Sequence, residues 1–171
     1  MRQVSGYDVA VTTRWLDQTE LAAWSRLIAV VELLPGALEA QLRRDADLTH
    51  FEYYALAMLS EAPRRTLQMT ALARRTNSTL SRLSHVVSRL EERGFVAREA
   101  NPDNARATNA RLTAAGYRKV VASAPGHVTA ARELVLDALS PQQVRQLTRI
   151  ADAVLARLDP TGAMASPYPA G

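Results

Sequence analysis

The sequence predicts a mainly α-helical fold that carries one small β-hairpin. Apolar residues recur at intervals of three and four over most of the 171 residues, which is the spacing of amphipathic helices. Two short extended segments flank an Asn-Pro-Asp-Asn turn. The chain contains no cysteine, so disulfides, cysteine-zinc sites, iron–sulfur clusters and thiol chemistry are excluded.

The first part of the chain predicts three helices. The first covers 17–44, and Pro35-Gly36 inside it predicts a bend or a break because proline removes a helical hydrogen bond. The capping box Thr49-His50-Phe51-Glu52 begins a second helix over 49–60. A short third helix follows over 67–76 after a turn.

The centre of the chain predicts a fourth helix and then the hairpin. Three good N-cap residues, Asn77-Ser78-Thr79, precede an apolar stripe that closes at Gly94. The stripe consists of Leu80, Leu83, Val86, Val87 and Leu90. Segments 95–99 and 108–112 form the hairpin around a turn at 101–104.

The last part of the chain predicts two more helical regions. One covers 113–139 with a kink at Pro125-Gly126, and the other runs from the capping box Ser140-Pro141-Gln142-Gln143 to about Leu158. After Asp159 the chain is rich in turn residues and is expected to be disordered. Uninterrupted apolar runs such as Leu27–Val31 are too short to span a membrane, and no signal peptide is recognisable, so we expect a cytoplasmic protein without a membrane span.

Positive charge is concentrated in the middle third. Between Arg64 and Lys119 there are 12 basic and 4 acidic residues, whereas the net charge of the whole chain is only +4. Two short helices, a turn, an amphipathic helix and a hairpin in this basic segment indicate a helix-turn-helix with a β-wing, whose last helix enters a DNA major groove. The alternative is an ordinary solvated helix face. The candidate DNA-binding residues are Ser78, Thr79, Ser81, Arg82, Ser84, His85, Ser88, Arg89, Arg98 and Arg106.

Four segments of the chain resemble the MarR family of winged helix-turn-helix transcription regulators. They are Leu72 to Arg75, Ser81 to Val96, Asp103 to Arg106, and Arg111 to Gly116. The resemblance implies a homodimer held by the long first helix and the last two helices. It also implies binding to pseudo-palindromic promoter DNA, which a small ligand or an oxidant usually relieves.

One position departs from the pattern of similar members. They commonly place an aspartate two residues before the arginine at the wing tip, where this sequence has Asn104 before Arg106. A neutral hydrogen bond is therefore expected to replace a charge-assisted pair. Part of the family senses oxidants through cysteines, and the absence of cysteine leaves control by a ligand, or no control.

A small-molecule effector is expected between the first, second and fifth helices. The candidate residues are Trp24, Phe51, Tyr53, Tyr54 and His127, although aromatic residues at helical spacing are more often core. The interruptions at Pro35-Gly36 and Pro125-Gly126 are candidate hinges for changing the separation of the two DNA-reading helices. The histidines lack metal-ligand spacing and no catalytic motif is found, so neither a metal, a cofactor nor an enzyme is expected.

The sequence therefore predicts a homodimeric DNA-binding transcription regulator, and it favours a repressor over an activator. The alternatives are a winged-helix dimer that acts mainly through protein–protein interaction and, less in keeping with the residues, an enzyme. Wide apolar faces at both chain ends support dimerisation, because a winged domain of about 65 residues cannot bury them all. The predicted segments are an extension (1–16), a dimerisation helix (17–46), the winged domain (47–112), further dimerisation helices (113–159) and a tail (160–171).

Overall fold

The computed structural model describes residues 13–102 and 104–164, without the side chain of Ala105. Two compact units make up the chain, Met1–Leu34 and Pro35–Gly171. The helices are α1 (Gln18–Ala46), α2 (His50–Glu61), α3 (Met69–Arg75), α4 (Leu80–Glu92), α5 (Ala114–Leu134) and α6 (Pro141–Leu158). The strands are β1 (Thr66–Gln68), β2 (Val96–Asn101) and β3 (Asn104–Leu112). The mainly helical fold with a small sheet is confirmed, and the functional segment boundaries stay a prediction.

Both long helices continue through their prolines. Pro35 lies inside α1 and Pro125 inside α5, so the chain does not break at Pro35, and the alternative of a bend there stays a prediction. A proline removes one N–H donor, and the other turns of a long helix keep theirs. The helix predicted to reach Leu139 ends earlier, at Leu134, and gives way to the 3-10 turn Leu136–Ala138. A hinge function for these prolines stays a prediction.

The sheet has three strands rather than the two of the predicted hairpin. β3 lies between β1 and β2 and is antiparallel to both. Thr66 pairs with Arg111, and Val96 pairs with Leu112. Leu67 was expected to begin a helix but lies in β1, because pairing with a distant strand overrides a weak helical pattern.

Side-chain caps begin five of the six helices in the described part of the chain, with Asp17 at α1 and Thr113 at α5 among them. The two predicted capping boxes are confirmed, Thr49 with Glu52 at α2 and Ser140 with Gln143 at α6. The Thr79 hydroxyl accepts a hydrogen bond from the Arg82 N–H in the first turn of α4, so it is the N-cap among the three candidates. These caps fix where each helix starts, since they satisfy N–H groups that have no partner within the helix.

The core of the second unit lies between α2, α3, α4 and the sheet. It includes Leu42 from the end of α1 and Val120 from α5. Its largest fully buried side chains are Leu42, Leu48, Leu56, Leu59, Leu72, Leu83, Leu90, Val87 and Val96. The apolar side of α4 is thereby anchored, which fixes the directions of its polar sides.

The first unit exposes many apolar side chains. They are Trp15, Leu16, Leu21, Trp24, Leu27, Ile28, Val30, Val31 and Leu33. By length and composition alone α1 can cross a membrane, with a mean hydropathy of 1.5 over 18 residues, a property that helices of soluble proteins and signal sequences share. The sequence predicted no membrane span because its uninterrupted apolar runs are short, and this expectation stays a prediction.

The described part of the chain ends in a turn that Asp159 stabilises. The Asp159 carboxylate accepts hydrogen bonds from the Met164 N–H at 2.7 Å and from the Thr161 hydroxyl at 2.8 Å. Residues 160–164 therefore form a turn around Asp159, and the disorder expected after Asp159 stays a prediction. Residues 1–12 of the predicted extension and 165–171 of the predicted tail lie outside the described residues.

The first turn of α5 packs directly on the residue that follows α4. The Thr113 hydroxyl donates to the Gly94 carbonyl at 2.7 Å, and the Thr113 N–H donates to the Phe95 carbonyl at 3.0 Å. A Cβ on the buried Gly116 would overlap the Phe95 carbonyl oxygen and lie 2.7 Å from Leu112 Cδ1. No side chain fits at this position.

We expect Gly116→Ala to lower the free energy of unfolding by about 3 kcal/mol, because backbone atoms must shift to admit the methyl group. Ala114→Gly, two residues earlier in the same turn and exposed, is the control and should cost less than about 1 kcal/mol. Urea denaturation followed by circular dichroism measures both. Equal stability of the two variants would show that the turn has room for a side chain.

Candidate nucleic-acid interface

α4 presents four sides with different surroundings. Its apolar side, formed by Leu83, Val86, Val87 and Leu90, is buried. At 100° per residue the opposite side carries Ser81 and His85, which are both exposed. One of the two remaining sides carries Arg82 and Arg89 and faces α2. The other carries Ser84, Ser88 and Glu91 and faces the wing, which consists of β2, β3 and the turn that connects them. The outward side is therefore free to meet a partner.

A tight turn over residues 76–79 sets α4 beside α3. The Thr76 hydroxyl donates to the Leu72 carbonyl at 2.9 Å, and Asn77 adopts a left-handed φ of 45°, which asparagine tolerates better than most residues. The Thr79 hydroxyl then accepts from the Arg82 N–H at 3.2 Å. The predicted residues Ser78 and Thr79 thus lie at the start of α4, the end of a recognition helix that contacts bases.

Arg98 fastens the wing to α4. Its guanidinium donates to Glu91 Oε2 at 2.9 Å, to the Ser84 carbonyl at 2.7 Å and to Ser88 Oγ at 3.0 Å. Its main-chain N–H also donates to Glu91 Oε1 at 2.9 Å. Arg98, Ser84 and Ser88 are half-buried and bonded to one another, so they hold the wing in place. Their predicted contact with DNA stays a prediction.

Arg89 also has a partner within the chain. Its Nε lies 3.4 Å from Oε1 of the buried Glu52 at the start of α2. Arg93, which sequence reasoning missed, lies 3.0 Å from Asp47 Oδ2 and 3.9 Å from Glu52 Oε2. These pairs join α4 to α2, and no local pattern reveals them because their members lie 37 or more residues apart in sequence.

Arg82 and Arg106 differ from these arginines, because neither forms an ion pair with another described residue. The Arg82 guanidinium lies over the Phe51 ring, 4.6 Å from its centroid. Arg106 is exposed on β3, and its main-chain N–H donates to Asn104 Oδ1 at 3.1 Å. The neutral hydrogen bond expected of Asn104 therefore reaches the main chain of Arg106.

A hollow of about 420 Å³ opens between the start of α4 and the wing. Its polar lining comes from Gln68, Thr70, Ser84, Arg98, Asn104, Arg106 and Thr108. Neutral donors beside guanidinium groups suit a phosphate backbone that passes between two grooves. On the outer side of the wing, Arg111 Nε donates to Glu99 Oε1 at 2.6 Å, so this arginine is engaged.

Three of the five predicted effector residues come together between α2 and α5. The Tyr53 and His127 rings lie 4.5 Å apart, and His50, which was not predicted, stacks on Tyr54 and lies 6.4 Å from both Tyr54 and His127. Phe51 instead contacts Arg82. Trp24 belongs to the first unit and is 53% exposed.

Comparisons with known proteins point to one family. A model described as MarR family matches residues 46–107. Sco3205 from Streptomyces coelicolor, a MarR family regulator solved in complex with DNA, is 44% identical over 87% of this chain and 93% of its own, with a TM-score of 0.83. AbsC from the same organism is 34% identical over 85% of this chain and 98% of its own, with a TM-score of 0.80. The chain belongs to the MarR family.

A relative with a curated name is described as a transcriptional repressor. The HTH-type transcriptional repressor Rv2887 of Mycobacterium tuberculosis is 37% identical over 103 residues, which is 60% of this chain and 72% of that protein. The resemblance seen in the sequence and the winged helix-turn-helix fold are therefore confirmed. Among the described residues, no group of three or more histidines and carboxylates could hold a metal ion.

Two buried polar atoms of this MarR-family chain have no hydrogen-bond partner within its described part. They are His127 Nδ1 and Gln41 Oε1. Burial lowers the pKa of His50, and burial together with the neighbouring His50 lowers the pKa of His127. Burial and the Glu61 carboxylate raise the pKa of Tyr53. The whole cluster is therefore held in its uncharged form at neutral pH.

We expect the protein to lose stability as the pH falls below about 6.5, the ordinary pKa of histidine. Because the folded-state pKa values of His50 and His127 are lowered, the unfolded chain binds more protons in this window, so the unfolding free energy rises with pH there. Thermal unfolding between pH 5 and pH 8 measures the slope. The variant with His50→Gln and His127→Gln should show a shallower slope, and an unchanged slope would contradict the assignment.

Proposed function

We propose that the protein is a cytoplasmic, homodimeric repressor that binds a pseudo-palindromic operator in duplex DNA. The observation that carries the proposal is the placement of two guanidinium groups that form no ion pair with any other described residue, Arg82 on α4 and Arg106 on the wing. In this proposal the first turns of α4 read the major groove, and Arg106 enters the adjacent minor groove. The complex of Sco3205 with DNA and the repressor name of Rv2887 support it.

Dimerisation is supported by apolar surface that the chain leaves uncovered. In the first unit the uncovered apolar residues lie along α1, and no residue of α6 is buried. The exposed apolar residues of α6 are Leu147, Ile150, Val154, Leu155 and Leu158. Helical faces of this size are usually covered by a partner, and a second copy places two recognition helices about 34 Å apart, one turn of DNA.

Release by a small ligand completes the proposal. His127 Nδ1 has no hydrogen-bond partner among the described residues and can bond to a ligand, and the neighbouring rings of His50, Tyr53 and Tyr54 offer stacking surface. If a ligand favours the DNA-free dimer, DNA must lower the affinity for the ligand by the same factor as the ligand lowers the affinity for DNA. Screening small aromatic acids for DNA release, then titrating the ligand with and without operator, measures this coupling. Equal ligand affinity in both states would contradict it.

We expect Arg82→Ala to cost about 1–3 kcal/mol of operator binding and to change base preference, because a bidentate guanine contact is lost. Arg106→Ala should weaken all duplexes and reduce the slope of log K against log salt by about 1. Fluorescence anisotropy with labelled duplexes measures both, with Arg145→Ala as the control, because Arg145 lies on the exposed side of α6 opposite Ile150 and Val154. A flat salt dependence, or binding unchanged in both variants, would favour a partner other than DNA.

We expect Ile150→Asp to dissociate the dimer, because a carboxylate at the proposed interface loses its hydration on association. Ala156→Asp adds the same charge on the opposite, exposed side of α6 and should leave the dimer intact. Sedimentation equilibrium over a range of concentrations measures the dissociation constant. A monomeric unsubstituted protein, or equal effects of the two variants, would count against this interface.

A further inference from the structure

The arginines of α4, of its C-terminal cap and of the wing base differ in whether a carboxylate oxygen lies beside them. Arg89, Arg93 and Arg98 each lie 3.4 Å or less from a carboxylate oxygen, those of Glu52, Asp47 and Glu91 respectively. Arg82 instead lies over the ring of Phe51, with its guanidinium carbon 4.6 Å from the ring centroid. This is within the distance at which a cation and an aromatic face attract each other. Arg93 has an aromatic partner in addition to its carboxylate, since its guanidinium carbon lies 5.1 Å from the centroid of the Phe95 ring.

The two kinds of partner leave a guanidinium with different capacities. A carboxylate accepts N–H bonds along the edge of the guanidinium, the edge that would otherwise pair with a guanine base. An aromatic face attracts the charge without accepting at those edges, so the N–H donors stay available. Arg82 is therefore held by its partner and still able to form a bidentate contact.

The platform under Arg82 is itself fixed. Phe51 is partly buried and packs against the hydrophobic core. It lies in the first turn of α2, directly before Glu52, whose side chain closes the capping box with Thr49. A ring on a capped helix end has few ways to move, so the guanidinium over it loses less freedom when it meets a base.

We propose that Phe51 is a positioning residue for base recognition, which holds the exposed Arg82 guanidinium in one orientation with its donors free for a base in the major groove. The inference rests on the proposed function, since Arg82 must read DNA for its orientation to matter. The residue that the sequence suggested as part of an effector pocket thus acts through the recognition helix. Phe51 contributes to the discrimination of one base pair in each half-site rather than to general affinity.

The test compares base discrimination in matched variants, using an operator selected from random duplexes by the unsubstituted protein. Phe51→Leu and Phe51→Met keep an apolar side chain without the ring, and Phe51→Tyr keeps the ring. Affinities are measured for a panel of duplexes in which each base pair is changed in turn. Arg82→Ala identifies the base pair that Arg82 reads, and thermal unfolding confirms that each variant folds.

We expect Phe51→Leu and Phe51→Met to reduce discrimination at that base pair by roughly 10-fold, and Phe51→Tyr to retain it. In the Arg82→Ala background, Phe51→Leu should cause no further loss there, because the two residues act through one contact. Full discrimination in both non-aromatic variants, or an equal loss of affinity for every duplex, would overturn the inference while leaving DNA binding established. A lack of sequence-dependent binding by the unsubstituted protein would overturn both.

Discussion

Burial of one side of α4 is the constraint on which the rest of the interface depends. Once Leu83, Val87 and Leu90 are fully inside the core, the helix cannot rotate, and the period of 3.6 residues decides where every other side chain points. Arg82 is directed toward α2, Ser84 toward the wing, and the side opposite the core toward solvent. A recognition surface made of polar residues is therefore positioned by apolar ones.

The arginines that the structure describes in this region have two roles, since some form ion pairs within the chain and others stay free to contact DNA. Arg98 neutralises Glu91 and ties β2 to α4, while Arg89 approaches the buried carboxylate of Glu52 at the start of α2. These contacts brace α4 on both sides, and they reduce the charge available for an external polyanion. A count of basic residues consequently overstates the number of arginines that are free to contact DNA. The carboxylate partners seen in the structure show which arginines have to be left out of that count.

The sequence could predict the features that depend on residues close to one another in the chain. The capping residues Thr49 and Ser140 set their helices correctly because each cap depends on residues only three positions away. β1 could not be predicted, since three residues form a strand only through pairing with β3, more than 40 residues later. The apolar repeat of α4 is a local signal, so the sequence could predict this helix. It could not predict the ring beneath Arg82, because Phe51 belongs to another helix.

The absence of space at Gly116 has a mechanical consequence. With the first turn of α5 in contact with the Phe95 carbonyl, and Thr113 bonded to both Gly94 and Phe95, the two chain segments have no play between them. The start of α5 and the base of the wing are therefore coupled, and a rotation of α5 would have to carry the first residues of the wing with it.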